Sequence, residues 1–159
     1  MRIRRPEPSL AARQADWIVA MEPWLSLGYT GANLGRYLRR MARAKQVLVT
    51  ETKGHVVGIL VFQPDFLLGR FVALLAVRSE AAGQGIGRSL VMRIERETFK
   101  TRRWLYVSSD SANAAAARFY KKLGFSRAAR LPGLIREERT EILWRKPRPA
   151  AERRQLKGA

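Results

Sequence analysis

Val77-Arg78-Ser79-Glu80-Ala81-Ala82-Gly83-Gln84-Gly85-Ile86-Gly87-Arg88-Ser89-Leu90 leads from an apolar strand through a glycine-rich turn into a helix. Such a turn suits an anion. Glycines remove the Cβ atoms that would keep a ligand at a distance, the turn offers backbone N–H groups, and the helix N-terminus adds partial positive charge. Arg78 and Arg88 bring full charges nearby. Two familiar phosphate motifs do not fit. A Walker loop needs a glycine where Ala82 stands and a lysine where Arg88 stands. A dinucleotide fingerprint needs G-x-G-x-x-G, whereas Gly83-Gln84-Gly85-Ile86-Gly87 reads G-x-G-x-G. On its own the cluster is equally readable as an ordinary tight strand-to-helix turn.

Outward from this turn the chain reads as a single domain over residues 1–146, followed by a basic, flexible tail over 147–159. Leu10 to Met21 reads as one helix, Trp24 to Tyr29 as a loop, and Asn33 to Ala44 as a second helix capped by Thr30. Gln46 to Thr52 and His55 to Gln63 form two strands around Lys53-Gly54; Pro64-Asp65 breaks the second, and Gly69-Arg70 marks another turn. Phe71 to Val77 is a near-continuous apolar strand of the sheet interior. Gly85 to Thr101 is helical, Trp104 to Ser109 a strand, and Asn113 to Leu123 an alanine-rich helix closed by Gly124. Ser126 to Leu131 and Glu137 to Arg145 are closing strands around Pro132-Gly133, and Arg2 to Arg5 suits a short first strand. This order predicts an α/β (α+β) fold: one mixed, mostly antiparallel sheet of about six to seven strands flanked by about four helices.

Composition narrows the chemistry. Among 159 residues there is no cysteine and one histidine, His55, which removes disulfides, thiolate zinc sites, a cysteine nucleophile and any histidine-rich metal centre. No metal is expected. The apolar runs Val56 to Phe62 and Phe71 to Val77 fall far short of the roughly 20 residues that span a bilayer as a helix. The basic start Met1 to Arg5 meets Pro6-Glu7-Pro8 instead of a signal-peptide core. A cytoplasmic protein is the expectation. Its formal charge is +18, from 31 Lys and Arg against 13 Asp and Glu, which draws it to polyanions, from cofactor phosphates to nucleic acid.

A second segment sharpens the reading. Asn113-Ala114-Ala115-Ala116-Ala117-Arg118-Phe119-Tyr120-Lys121-Lys122-Leu123-Gly124-Phe125 follows the strand at Trp104. Together, the two segments resemble the GNAT superfamily of N-acetyltransferases over about Lys45 to Lys146. The family's turn has the pattern Arg/Gln-x-x-Gly-x-Gly/Ala, matched here by Gly85 and Gly87. Its later helix has Asn-x-x-Ala-x-x-Phe/Leu-Tyr and ends in Gly-Phe, matched by Asn113, Ala116, Phe119, Tyr120, Gly124 and Phe125. Ala82 departs from the pattern and removes one side-chain contact to the pyrophosphate region.

The resemblance implies transfer of an acetyl group from acetyl-CoA, as co-substrate, to a primary amine by direct attack. It implies that Leu75, Ala76 and Val77 present backbone N–H groups to thioester and pantetheine, and that Ala82, Gly83, Gln84, Gly85, Ile86, Gly87 and Arg88 hold pyrophosphate. Asn113 and Tyr120 would meet the cofactor's arm, with Tyr120 as the acid for the leaving thiolate; a half-buried packing aromatic and a helix cap are the plainer readings of these two residues. Many members carry a glutamate on the strand ending at Val77, and Phe71 to Val77 has no acid. Asp110, Glu51 and His55 are the remaining base candidates, each equally readable as a solvated or structural residue. Trp24 to Gly31 and Arg130 to Arg136 would form the acceptor site, with Trp24, Tyr29 and Phe66 as lining or core residues. A monomer or homodimer is expected. Two other classes stay open: a catalytically silent acyl-CoA-binding module, and a nucleic-acid binder of low specificity using Arg36, Arg39, Arg40, Arg43, Arg102 and Arg103.

Overall fold

Apolar and β-branched runs separated by short turns build seven strands in a computed structural model that describes residues 1–153. The strands are β1 (Arg2–Arg4), β2 (Val47–Thr52), β3 (His55–Phe66), β4 (Gly69–Val77), β5 (Trp104–Asp110), β6 (Ser126–Pro132) and β7 (Thr140–Pro147). The helices are α1 (Pro8–Ala12), α2 (Ala15–Val19), α3 (Gly31–Arg43), α4 (Ile86–Thr98), α5 (Ala114–Lys122) and α6 (Ala150–Arg153). The sheet order is β1-β2-β3-β4-β5-β7-β6. β4 and β5 run parallel, while β1 with β2, β2 with β3, β5 with β7 and β6 with β7 are antiparallel. The mixed, mostly antiparallel sheet read from the sequence is the one observed.

The chain packs as two units. The first comprises Met1–Phe62 and Leu74–Arg93, and the second Gln63–Ala73 with the chain from Ile94 onward. In the first unit, Ala11, Ile18, Leu34, Leu38, Val49 and Ile59 are buried in one apolar cluster. The apolar stripe of α3 repeats at Leu34, Leu38 and Ala42, and Arg36, Arg39, Arg40 and Arg43 lie exposed on its other side. The Thr30 hydroxyl caps this helix by accepting the Asn33 N–H at 3.1 Å. In the second unit Trp144 is almost wholly buried, and its indole N–H donates to the Ser109 hydroxyl at 2.9 Å.

Four local expectations are corrected. Leu10 to Met21 is not one helix but α1 and α2. Buried Gln14 lies between them, its amide donating to the Leu10 carbonyl at 2.8 Å and accepting the Trp17 indole N–H at 3.0 Å. Pro64-Asp65 does not break β3, which runs on to Phe66. Pro64 lies past the stretch registered with β2, His55 to Val61, where a missing N–H costs no bond to that strand. Gly69-Arg70 is strand rather than turn, since the reversal is made by Leu67 and Leu68, both at positive φ. Gly69 instead allows close approach, because a Cβ there would run into the Trp104 carbonyl of β5. The last strand starts at Thr140, not Glu137, as Gly133 N–H donates to Arg139 O and Arg139 N–H to Arg136 O across a longer connection.

Pro147 closes β7, and buried Arg148 donates its N–H to Arg103 O at 2.8 Å. The remainder of the expected tail, 154–159, lies outside the described residues. No helix among the described residues is long and apolar enough to cross a membrane.

Candidate functional site

The first unit holds the glycine turn. β4 ends at Val77, a short 3-10 turn covers Ser79–Ala81, and α4 begins at Ile86. Gly83 and Gly85 sit at φ +75 and +78, a backbone region that side chains resist, and a Cβ on either would project into open space. Ser89 N–H makes the first helical bond, to Gly85 O at 3.0 Å, so the N–H groups of Ile86, Gly87 and Arg88 precede that ladder. Ala82, Gln84 and Arg88 are exposed, and Gly87 is half-buried. Backbone donors, a helix start and the Arg88 cation form a donor set suited to a pyrophosphate.

Packing fixes the turn in place. Ile86 and Leu90 are buried, and a Cβ on Gly58 would meet Ile86 Cγ2 at 2.6 Å, so the start of α4 lies directly on β3. Arg78 is spent on structure: its Nε donates to Val56 O at 2.9 Å and its guanidinium lies 4.8 Å from the centre of the Trp17 ring. Of the two arginines flanking the turn, Arg88 is thus the exposed one.

The second unit holds the helix with Asn113 and Tyr120. Asn113 caps α5, its side-chain oxygen accepting the Ala116 N–H at 3.0 Å. Tyr120 is 7% exposed and stacks edge-on against Phe119 and Phe125, with ring centres 5.2 and 5.7 Å away. Burial pushes its phenol well above its ordinary value, which keeps it protonated. Gly124 follows the helix, and Phe125 N–H donates to Tyr120 O at 3.0 Å.

Of the three base candidates from the sequence, two are engaged in other contacts. Glu51 accepts two bonds from the Arg4 guanidinium, at 2.6 and 3.0 Å, and these hold its carboxyl below the usual range. Asp110 accepts the Ala112 N–H at 2.8 Å and pairs with Arg139 at 3.4 Å. His55 is exposed at the tip of the β2–β3 hairpin. A fourth acid, Glu141, went unremarked in the sequence because a charged residue at a strand start is ordinarily solvated. Here it is 8% exposed, and burial raises its carboxyl while a hydrogen bond from Ser108 works the other way. Of the expected acceptor residues, Trp24 packs on the first unit's core and Tyr29 is 48% exposed; Phe66, in the second unit, stacks on Phe71 and Tyr106. No group of three or more His, Cys, Asp or Glu among the described residues could hold a metal.

Known proteins resemble this chain in sequence and in fold. The profile of the acetyltransferase (GNAT) domain matches residues 43–127, taking in the glycine turn and the capped helix. An uncharacterized N-acetyltransferase of Methanocaldococcus jannaschii is 31% identical over 106 residues, 65% of this chain and 67% of that protein. The ribosomal-protein-alanine N-acetyltransferase of Brucella melitensis superposes with a TM-score of 0.74 at 22% identity, covering 92% of this chain and 99% of that one. The yncA acetyltransferase of Salmonella typhimurium, whose structure includes its cofactor acetyl-CoA, gives 0.72 at 20% identity and covers 94% of each chain. The profile runs across both segments that sequence and geometry single out, and the chain belongs to the GNAT acetyltransferase family.

Proposed function

We propose that this protein transfers an acetyl group from acetyl-CoA to a primary amine by direct attack, with no acyl-enzyme intermediate. The observation that carries the reading is the cradle at the head of α4: two glycines at positive φ, open space beside them, and N–H groups ahead of the first helical bond. Its donors suit the pyrophosphate of CoA, and family membership supplies the acetyl group as cargo. In this reading Ala82, Gly83, Gln84, Gly85, Ile86, Gly87 and Arg88 hold the pyrophosphate. Leu75, Ala76 and Val77 lie beyond Gly69–Val72, the part of β4 in register with β5, and their N–H groups orient the thioester and pantetheine.

Asn113 serves as both helix cap and contact for the cofactor's arm, since its amide N–H groups remain for a ligand when its oxygen caps the helix. Tyr120 donates the proton to the departing sulfur. The phenol is protonated at neutral pH at its ordinary pKa, and the burial that raises it makes it a weaker acid, so the role rests on its place in the family's motif.

The test is thiol release from acetyl-CoA across a panel of small primary amines and peptides with free N-termini. N-terminal alanine is included because the Brucella relative is named for that acceptor. Expected is saturable release that depends on one class of amine, with mass spectrometry showing acetyl on nitrogen. CoA binding without transfer to any amine would make the chain a silent acyl-CoA module instead.

A further inference from the structure

We propose that the tip of the β3–β4 hairpin docks on an anionic lipid surface, with Leu67 and Leu68 entering the headgroup–acyl boundary while Lys100, Arg102 and Arg103 meet the lipid phosphates. The starting observation is two bulky residues where the backbone favours others. β3 ends at Phe66 and β4 begins at Gly69, so the reversal has two residues, Leu67 at φ +43 and Leu68 at φ +61. A two-residue turn with both φ positive favours Asn-Gly, and a leucine in that region is strained. These leucines gain little burial in return, since they are 65% and 72% exposed. Backbone strain persists only where the surroundings fix it, and it gathers at working sites.

Here the surroundings fix it twice. The Tyr106 hydroxyl donates to Leu67 O at 3.0 Å, and the Arg103 N–H donates to Leu68 O at 3.1 Å. Both carbonyls of the turn are thus held, from β5 and from the loop before it, which leaves the two side chains outside as a fixed apolar point. The α4–β5 loop that holds the tip also supplies its charge. Arg102 and Arg103 line one open hollow of about 450 Å³ with Phe66, Leu67 and Leu68, and Lys100 stands exposed just before them. Arg102 pairs with Asp65, the one acid lining that hollow, so Lys100 and Arg103 are in excess. Trp104, half-buried beside Gly69, adds a ring of the kind that settles at headgroup level.

Charge and area together select the occupant. A second copy of this chain would bring the same cations against one another, with a net charge of +18 on each molecule. Two leucines and one ring fall well short of the roughly 800 Å² per partner that a stable protein interface buries, which sets an acidic protein aside as well. A nucleic acid answers the cations and leaves the leucines without use. A lipid surface answers both. Its acyl boundary needs no matching shape, and its phosphates take the flanking cations, each of which adds modestly to the attraction.

The experiment co-sediments the full chain with phosphatidylcholine vesicles, with and without about 30% phosphatidylserine, for wild type and for Leu67→Asn combined with Leu68→Gly. The double variant installs the residues that a two-residue turn favours and leaves the net charge untouched, so it separates the hairpin from the general basicity of the chain. Wild type should partition onto the anionic vesicles at least tenfold more strongly than onto the neutral ones, and less as salt rises. The double variant should lose at least tenfold on the anionic vesicles. It should melt at or near the wild-type temperature, since relief of the left-handed strain offsets the added freedom of glycine. Leu67→Asn alone, with a loss of about threefold or more, carries the test should the double variant fail to fold. Equal partitioning of wild type and the folded variant, or no preference of wild type for anionic vesicles, would overturn the assignment. So would self-association in sedimentation equilibrium that the variant loses, since a second copy would then cover the tip.

Discussion

Tyr120 unites two roles that the sequence presents as rivals. Its ring packs edge-on between Phe119 and Phe125, and its hydroxyl is the group proposed to protonate the thiolate. Tyr120→Phe keeps the ring and removes only the oxygen, so packing and CoA affinity should persist while kcat falls roughly 10²- to 10⁴-fold. Burial raises the phenol, and a group so shifted stays protonated as pH climbs. The rate should therefore show no alkaline limb from this residue at neutral pH, which a pH–rate profile of the wild type checks. A loss of only a fewfold would mean that amine attack, rather than thiolate departure, controls turnover. Full activity with normal affinity would return Tyr120 to packing alone.

Two elements carry glycines for opposite reasons. At the head of α4, Gly85 has φ +78 and nothing within 4 Å of an added Cβ, so a side chain meets backbone strain rather than neighbours. Gly85→Val should therefore weaken CoA binding at least tenfold in calorimetry, with a stability loss of about 1–2 kcal/mol from the left-handed conformation. Unchanged CoA affinity would remove the turn as the phosphate site. In β4, Gly69 abuts the Trp104 carbonyl of β5, and a Cβ has no room without moving one backbone off the other. Gly69→Ala should cost roughly 1–3 kcal/mol in denaturant unfolding, the range for overpacking against unyielding neighbours. An unaltered unfolding midpoint would show that the strands separate easily there.

At the scale of the whole molecule the net charge of +18 is the dominant property. α3 displays Arg36, Arg39, Arg40 and Arg43 on its solvent side, with the Arg40 guanidinium 5.8 Å from the centre of the half-buried Tyr37 ring. Such a surface attracts polyanions through counterion release without reading a sequence. Binding to two unrelated DNA duplexes, followed by fluorescence anisotropy, should be equal within a fewfold and should drop at least tenfold between 50 and 200 mM salt. Strong preference for one duplex at physiological salt would instead favour a dedicated nucleic-acid function.

Local patterns in the sequence determined what short-range physics controls. The capping signals at Thr30 and Asn113 and the glycine turn before α4 depend on a few adjacent residues, and each lies where it was read. Tertiary structure decided what neighbours distant in sequence control. Pro64 stays in a strand because its missing N–H lies past the stretch paired with β2, and Gly69 is a strand residue because β5 crowds it from Trp104, 35 residues away by number. Glu141 is the sharpest case. Its letter says solvated charge, and only the pairing of β7 between β5 and β6 buries it beside Ser108. The cost of removing a carboxylate from water depends on what closes over it, and that is a property of the folded chain alone.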